Sequence, residues 1–361
     1  MDLLAAADSV SPVAQQERAE ADALGRLTDA VVAALREARL TDMKLPVEVG
    51  GLDAESPTQF DVHERLAYAD GATAWTLMAL GTAGAWTASR LPDDGIAEIV
   101  EAGGDHTWPL VAGTFPFHGR AVRDGGGWRV SGRWGFASGI RHAAWVSCGC
   151  LTDAGGRVWC TLPIASVTIE DTWHADGLQA TGSTHYRVED VWVPDHRCFS
   201  IEGPGVRGGA SHRLPTLAYL LADHTAVCLG LARRALDETA AAASGRHRMG
   251  ATTGQADRGA FCDELARHDV ALRAARLLVR TEIAELCADA SPDVLRARTA
   301  ALHAVGVVRD AVLFAHRSGG ATAATGNGAV RRVVQDALVA SQHIYFDDEV
   351  LTRWGQMLVG A

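Results

Sequence analysis

The residues of this 361-residue chain that can do chemistry fall into a few spacings. His343 follows Asp336 by seven residues, two turns of a helix, and Asp336 follows Arg332 by four, which sets an Arg–Asp pair on one helix face. An imidazole of ordinary pKa, about 6.5, can take a proton from a phenol or an amine and return it. The chain has 14 histidines, and one picked at random is a surface group or a satisfied core group. In WRVSGRWGFASG (128–139), Trp134 and Phe136 alternate and so share a strand face, where they can pack on a planar ligand or fill a sheet core. Ser138, just after them, offers a hydroxyl that meets a ligand or caps a strand end. In GRHRMG (245–250), the Arg246 guanidinium suits a bidentate phosphate contact, and equally a solvated turn. HExxH, a Walker loop and GxSxG do not occur, and no His/Cys group has metal-ligand spacing, so nothing points to metal or nucleophilic catalysis.

Composition bounds what can position these groups. Hydrophobic residues make up 48% and charged residues 21%, which predicts an ordered globular protein with a sizeable core. The net charge of −11 argues against non-specific nucleic-acid binding, which needs a basic surface. Lys44 is the one lysine among 33 basic residues, a bias that fits GC-rich coding and a setting in secondary metabolism such as antibiotic biosynthesis. The seven cysteines are odd in number and include no CxxC, which predicts a reduced, cytoplasmic protein. Cys148 and Cys150, two apart in a strand, point the same way. No apolar run reaches about 18 residues without charge, so no membrane span is expected.

Periodicity divides the chain into three. Residues 1–105 read as an N-terminal α-helical domain. LGRLTDAVVAALREARL (24–40) has helical spacing, KLPVEVGGLDAESP (44–57) breaks it, and 57–86 resumes it, nearly all apolar after Asp70 and so buried on every side. Residues 106–205 are short segments rich in Val, Thr, Ile and aromatics, parted by Gly or Asp turns such as DGGGW (124–128), and predict a central antiparallel β-domain. Residues 206–361 return to the helical period. SPDVL opens one helix with Ser291 as N-cap and Pro292 at the first position, and a last helix is predicted from about 329 to 345. Three long helices plus this one predict an antiparallel four-helix bundle. The fold class is α+β.

The local strings in this order resemble a known family. Gly177 and Leu178, then Thr181-Gly182-Ser183, then a strand ending in Val193-Pro194 are similar to the pattern of the acyl-CoA dehydrogenases. Gly132, Trp134, Phe136, Ser138 and Gly139 match the Gly-x-Trp-x-Phe-x-Ser-Gly hairpin of the flavin-dependent, two-component monooxygenases built on that fold. VAGTFPFHGRA (111–121), LPVEVGG (45–51) and ADGATAW (69–75) resemble their neighbouring segments. The C-terminus chooses the branch. Dehydrogenases of this fold commonly carry a catalytic Glu in Glu-Gly-Thr, which is absent, whereas Arg332, Asp336 and His343 match the oxygenase ending, with Gln335 in place of that pattern's second Arg.

The resemblance implies an acyl-CoA dehydrogenase-like fold and an enzyme that takes reduced FMN or FAD from a separate NAD(P)H:flavin reductase. With O₂ it would form a flavin hydroperoxide and hydroxylate or N-oxygenate a small molecule. It assigns His343 and Ser138 to catalysis. Thr114, Trp134, Phe136, Ala137, Ser138, Arg246 and Arg332 go to the flavin, Arg246 by reaching a neighbouring subunit's cofactor, and Trp75 to the substrate. The protein would then be a homo-oligomer, a dimer or homotetramer. Two alternatives stay open: a true dehydrogenase holding oxidised FAD and an acyl thioester, and a ligand-binding or cyclase scaffold without redox chemistry.

Overall fold

The computed structural model describes residues 1–103, 107–245, 253–289, 291–325 and 328–360. Five helices come first: α1 (Leu3–Leu24), α2 (Asp29–Glu37), α3 (Ser56–Ala69), α4 (Gly71–Ala88) and α5 (Asp93–Ala102). Seven strands follow: β1 (Val111–Asp124), β2 (Gly127–Ala137), β3 (Trp145–Thr152), β4 (Arg157–Pro163), β5 (Thr168–Glu170), β6 (Thr184–Pro194) and β7 (Cys198–Phe199). Then come α6 (Thr216–Tyr219), α7 (Leu221–Ala243), α8 (Gly259–Ala288), α9 (Val294–Ala324), α10 (Ala329–Ala340) and α11 (Glu349–Leu358). Compactness groups these elements into two units. One holds Met1–Gln59, Trp75–His174 and Gln179–Pro215, and the other Phe60–Ala74, Ala175–Leu178 and Thr216–Ala361. No helix of the described residues is long and apolar enough to cross a membrane.

In the first unit the helix predicted over 24–40 is the shorter α2, Asp29–Glu37. α1 stops where Gly25 turns left-handed (φ 60°), and Thr28 then N-caps α2, its hydroxyl accepting from Val31 N–H. The sheet runs β5-β6-β2-β1-β3-β4-β7. It is not wholly antiparallel as predicted, because β1 and β3 pair in parallel. The β1–β2 hairpin occupies one edge of β1, so β3, arriving on the other edge after two reversals, runs the same way as β1. One sheet face buries Ala112, Val130, Trp134, Cys148, Cys150, Cys160 and Tyr186 in a single apolar cluster. Trp134 stacks on Tyr186 at 5.2 Å and donates from its indole N–H to Gly149 O at 3.0 Å. Gly119 and Gly132, paired across the hairpin, leave the space it fills. A Cβ at 119 would lie 2.2 Å from the Trp134 ring and 2.6 Å from Cys150 Sγ.

In the second unit α7, α8, α9 and α10 form a helical bundle. α3 packs closely on α7, where a Cβ at Gly230 would meet Glu64 O at 2.3 Å. Arg276 and Arg280 on α8 bind Asp61 and Glu64 of α3 at 2.7–2.9 Å. Asp70 caps the first turn of α4 by accepting from Thr73 N–H at 2.8 Å. Residues 175–178 dock on α10. Leu178, at φ 53°, donates its N–H to Asp336 Oδ1 at 2.6 Å, and a Cβ on Gly177 would strike Gln335 O at 2.3 Å.

Gly119→Ala should destabilise the chain by about 1–3 kcal/mol, because its Cβ must displace a packed indole. Gly126→Ala meets nothing within 4 Å and serves as the control. Urea unfolding of both variants measures this, and equal midpoints would show that the Trp134 cavity can relax.

Candidate functional site

In the first unit the candidate residues gather at the end of β2. The register of β2 against β6 slips between Trp134↔Tyr186 and Ala137↔Thr184, so β2 carries one extra residue there. Phe136 takes that slack at φ 62°. Its ring is 67% exposed, edge-on to Trp173 at 6.4 Å and tilted against His185 at 5.2 Å. Ser138 N–H closes the turn onto Phe136 O at 3.1 Å. The Ser138 hydroxyl accepts from Trp75 Nε1–H at 3.1 Å and lies 2.6 Å from Ser183 Oγ, which lies 2.7 Å from Thr181 Oγ1. Gly139 N–H donates to Thr181 O at 2.8 Å, fixing the two segments side by side. The result is an exposed aromatic ring beside a hydrogen-bonded row of three hydroxyls and an indole.

In the second unit a different group forms around His343. α10 ends at Ala340, and Ser341 closes it: its hydroxyl donates to Leu338 O at 2.9 Å, while Arg309 donates to its carbonyl at 2.5 Å. His343 therefore sits in the turn after the helix. Its ring lies 4.4 Å from that of His224 on α7. His224 Nδ1–H donates to Leu220 O at 2.9 Å, and its ring stacks on Tyr345 at 5.9 Å. The Tyr345 phenol donates to Leu217 O at 2.7 Å. Burial first, and then the neighbouring His224, pushes the His343 imidazole well below its ordinary value, so it is neutral at pH 7. On the preceding residue of α7, the buried Asp223 faces the buried His63 at 3.8 Å.

Residues 222–348 match the family model described as acyl-CoA dehydrogenase, C-terminal domain. Indole-3-acetate monooxygenase of Pseudomonas putida is 31% identical over 333 residues, 88% of this chain and 83% of that protein. The chain belongs to the flavin-dependent monooxygenases of the acyl-CoA dehydrogenase-like superfamily. The oxygenase component of the FADH₂-dependent resorcinol hydroxylase of Rhizobium sp. is 29% identical, over 91% of this monooxygenase and 87% of that chain. The structure of XiaF from Streptomyces sp. in complex with FADH₂ and glycerol superposes with a TM-score of 0.90 at 27% identity, covering 99% of this chain and 95% of the other. The monooxygenase uses reduced flavin and O₂. The residues fit such a group: Phe136 offers a planar apolar face held outward by its backbone, and Ser138 offers a hydroxyl next to it.

The structure sorts the residues singled out from the sequence. Phe136, Ala137, Ser138 and Trp75 come together, Ala137 as a buried strand residue opposite Thr184. Trp134 and Phe136 do not share a face, because the extra residue between them turns Trp134 into the core with no exposed surface and Phe136 outward. Trp134 thus presents nothing to a flavin. Thr114 is buried opposite Cys148, with the Tyr186 phenol as its neighbour, on the core side of β1. The Trp75 indole N–H is spent on Ser138. Arg332 lies 3.9 Å from Asp336, the pairing its spacing predicts. His343 shares no helix with Asp336, since Ser341 ends α10 first. Arg246 lies outside the described residues. Sequence reasoning missed His224, Tyr345, Trp173 and the roles of Thr181 and Ser183. The two hydroxyls stood in a quoted motif, but only the fold sets them against Ser138.

Two further imidazoles, the buried His212 and the half-buried His142, make stability pH-dependent. His212, 3.3 Å from Asp53, is pushed down to about 4, chiefly by burial, with Asp53 opposing and Lys44 and Arg90 assisting. His142 is pushed down to about 4 by burial and then by Arg26. Between pH 6.5 and 4 the unfolded chain binds protons that the folded chain refuses. Their contribution is therefore complete above pH 6.5 and falls as pH drops toward 4, by up to about 1.4 kcal/mol per pH unit for each group. His212→Gln should flatten this fall in denaturant titrations from pH 7 to 4.5. A slope identical to that of the parent would mean His212 is already charged in the folded chain.

Proposed function

We propose that this monooxygenase oxygenates a small aromatic compound. Phe136 and the Ser138 hydroxyl would hold the reduced flavin, and His343 is assigned to the substrate's polar group. The observation that carries the flavin assignment is the exposed Phe136 ring, held at φ 62° next to a bonded row of hydroxyls. The aromatic substrate class is supported by the two relatives matched over about nine-tenths of this chain, whose names specify indole-3-acetate and resorcinol. A separate NAD(P)H:flavin reductase supplies the reduced cofactor. A homo-oligomer, dimer or tetramer, is supported by Val270, Leu277 and Leu278 standing exposed on α8. Arg246 keeps its assignment to a neighbouring subunit's flavin phosphate, and Arg332 is assigned, through Asp336, to supporting the turn at Leu178. The Arg-rich, Lys-poor composition supports a setting in secondary metabolism, of the antibiotic-biosynthesis kind.

Bound reduced flavin supplies an activated oxygen atom from O₂. The chain's own part follows from donor and acceptor counts. Trp75 Nε1–H can only donate, so Ser138 Oγ accepts from it. If Thr181 donates to Ser183 and Ser183 to Ser138, both acceptor positions of Ser138 are filled and its own proton is free to point at a ligand. The row of hydroxyls thus aims one O–H. Its members are buried, so water does not compete for that proton.

Anaerobic titration with reduced FMN and reduced FAD, followed by ¹⁸O₂ and an aromatic substrate, tests the function. One labelled oxygen atom should enter the product. Tight oxidised FAD that is bleached by an acyl-CoA without any reductase would instead identify a dehydrogenase. Ser183→Ala should weaken reduced-flavin binding about 5–10-fold, the cost of one mis-aimed hydrogen bond, with little change in unfolding temperature. An unaltered affinity would make the hydroxyl row a purely structural tie.

A further inference from the structure

A small cavity lies beside α4 in the first unit. Its volume is about 10 Å³, room for roughly one molecule of water's size. Leu27, Leu35, Leu77, Leu80 and Leu110 wall it, and all of them are buried. Thr41 and Thr76 also line it, yet no polar atom of the described residues is exposed to its interior. Water needs about two to four polar partners to stay in such a space, so the cavity is dry and suits a small apolar guest.

Its mouth is built around a glycine. Val32, Thr41 and Gly81 line the cavity and are half-buried, so this side faces the surface. Gly81 lies in the interior of α4, where glycine weakens a helix relative to alanine. Nothing local requires it: its φ is not left-handed, and a Cβ there would meet no described atom within 4 Å. The missing side chain keeps this side of the cavity open. The inner wall reaches the candidate site. A Cβ on Gly139 would lie 2.9 Å from Leu80 Cγ and 3.0 Å from Thr76 Cγ2, so two lining side chains pack on the residue that follows Ser138. Trp75, one residue before Thr76, donates its indole N–H to Ser138. One turn of α4 therefore both walls the cavity and holds the Ser138 hydroxyl.

We propose that this cavity holds O₂ on its way from the surface at Gly81 to the flavin beside Ser138. The monooxygenase consumes O₂. That gas is apolar and close to water in size, which matches a dry aliphatic space for one such molecule. No bond forms or breaks there. The cavity raises the local concentration of the gas by favouring an apolar solute over water. Delivery rests on the proposed seat of the flavin at Phe136 and Ser138.

Two measurements test this. Dissolved O₂ is paramagnetic and broadens the NMR signals of methyl groups beside which it dwells. In the full chain labelled at Leu and Val methyls and placed under O₂ pressure, Leu35, Leu77 and Leu80 should broaden several times more than Val130 and Leu162, which are also buried, in the sheet core. Gly81→Leu should abolish the excess. Equal broadening of the two sets in the parent overturns the proposal. The second measurement mixes the chain, loaded with reduced flavin, with rising concentrations of O₂. In Gly81→Leu the bimolecular rate of flavin oxidation should fall about fivefold, because the gas must then pass close-packed side chains, while reduced-flavin affinity stays that of the parent. An unaltered rate shows that O₂ arrives another way and overturns the delivery role. If the larger side chain disturbs α4, Gly81→Ala, whose Cβ meets no described atom, takes its place. It should lower both readouts by about half, and parental values overturn the proposal. Failure of the flavin seat is read separately, as unaltered reduced-flavin affinity in Ser183→Ala with the methyl broadening of the parent intact.

Discussion

The left-handed Phe136 is the constraint on which the candidate flavin surface depends. A bulky residue at positive φ costs on the order of 1–3 kcal/mol, and the surrounding sheet must hold it there. The hold comes from both sides of the extra residue. Trp134 is locked into the core by its stack on Tyr186 and its bond to Gly149, and Ala137 is tied into the ladder opposite Thr184. Between two fixed points the strand has one residue too many, and the excess emerges as an outward ring. The same step brings Ser138 to Trp75 and Ser183. Core packing of one aromatic therefore determines the exposure of the next, two positions along.

A comparable economy appears at the C-terminal end of the bundle. A side chain that caps a turn commits one polar atom to the backbone. His343 accepts at Nδ1 from Tyr345 N–H, and Asp336 accepts at Oδ1 from Leu178 N–H while Oδ2 faces Arg332. Local geometry thus selects the chemical form of the group that is left.

The fold was legible where the signal is an average over many residues. The helical stretches, the β-rich middle and the long bundle helices all follow from periodicity, and the family from strings spread over the chain. What could not be read turned on single residues. Gly25 and Thr28 delayed the start of one predicted helix, Ser341 cut another short, and one inserted residue in β2 reversed the alternation that had put Trp134 and Phe136 on one face. The parallel β1–β3 pairing depends on which edge of β1 is free, which strand propensities do not encode. His224 was invisible because helical spacing on α7 says nothing about a turn more than a hundred residues later.

The second unit is assembled from three stretches of chain: 60–74, 175–178 and the segment from 216 onward. Its tie between Leu178 and Asp336 joins residues 158 apart. During synthesis the helices near residue 65 emerge long before the bundle that covers them exists, and they carry apolar surface meant for burial. Contacts of such separation form late and pay a large loop-closure entropy, so the chain should acquire its structure slowly and only after its C-terminal third is made. An early stop in translation would leave these apolar helices uncovered, a source of aggregation and a reason for such a chain to lean on chaperones.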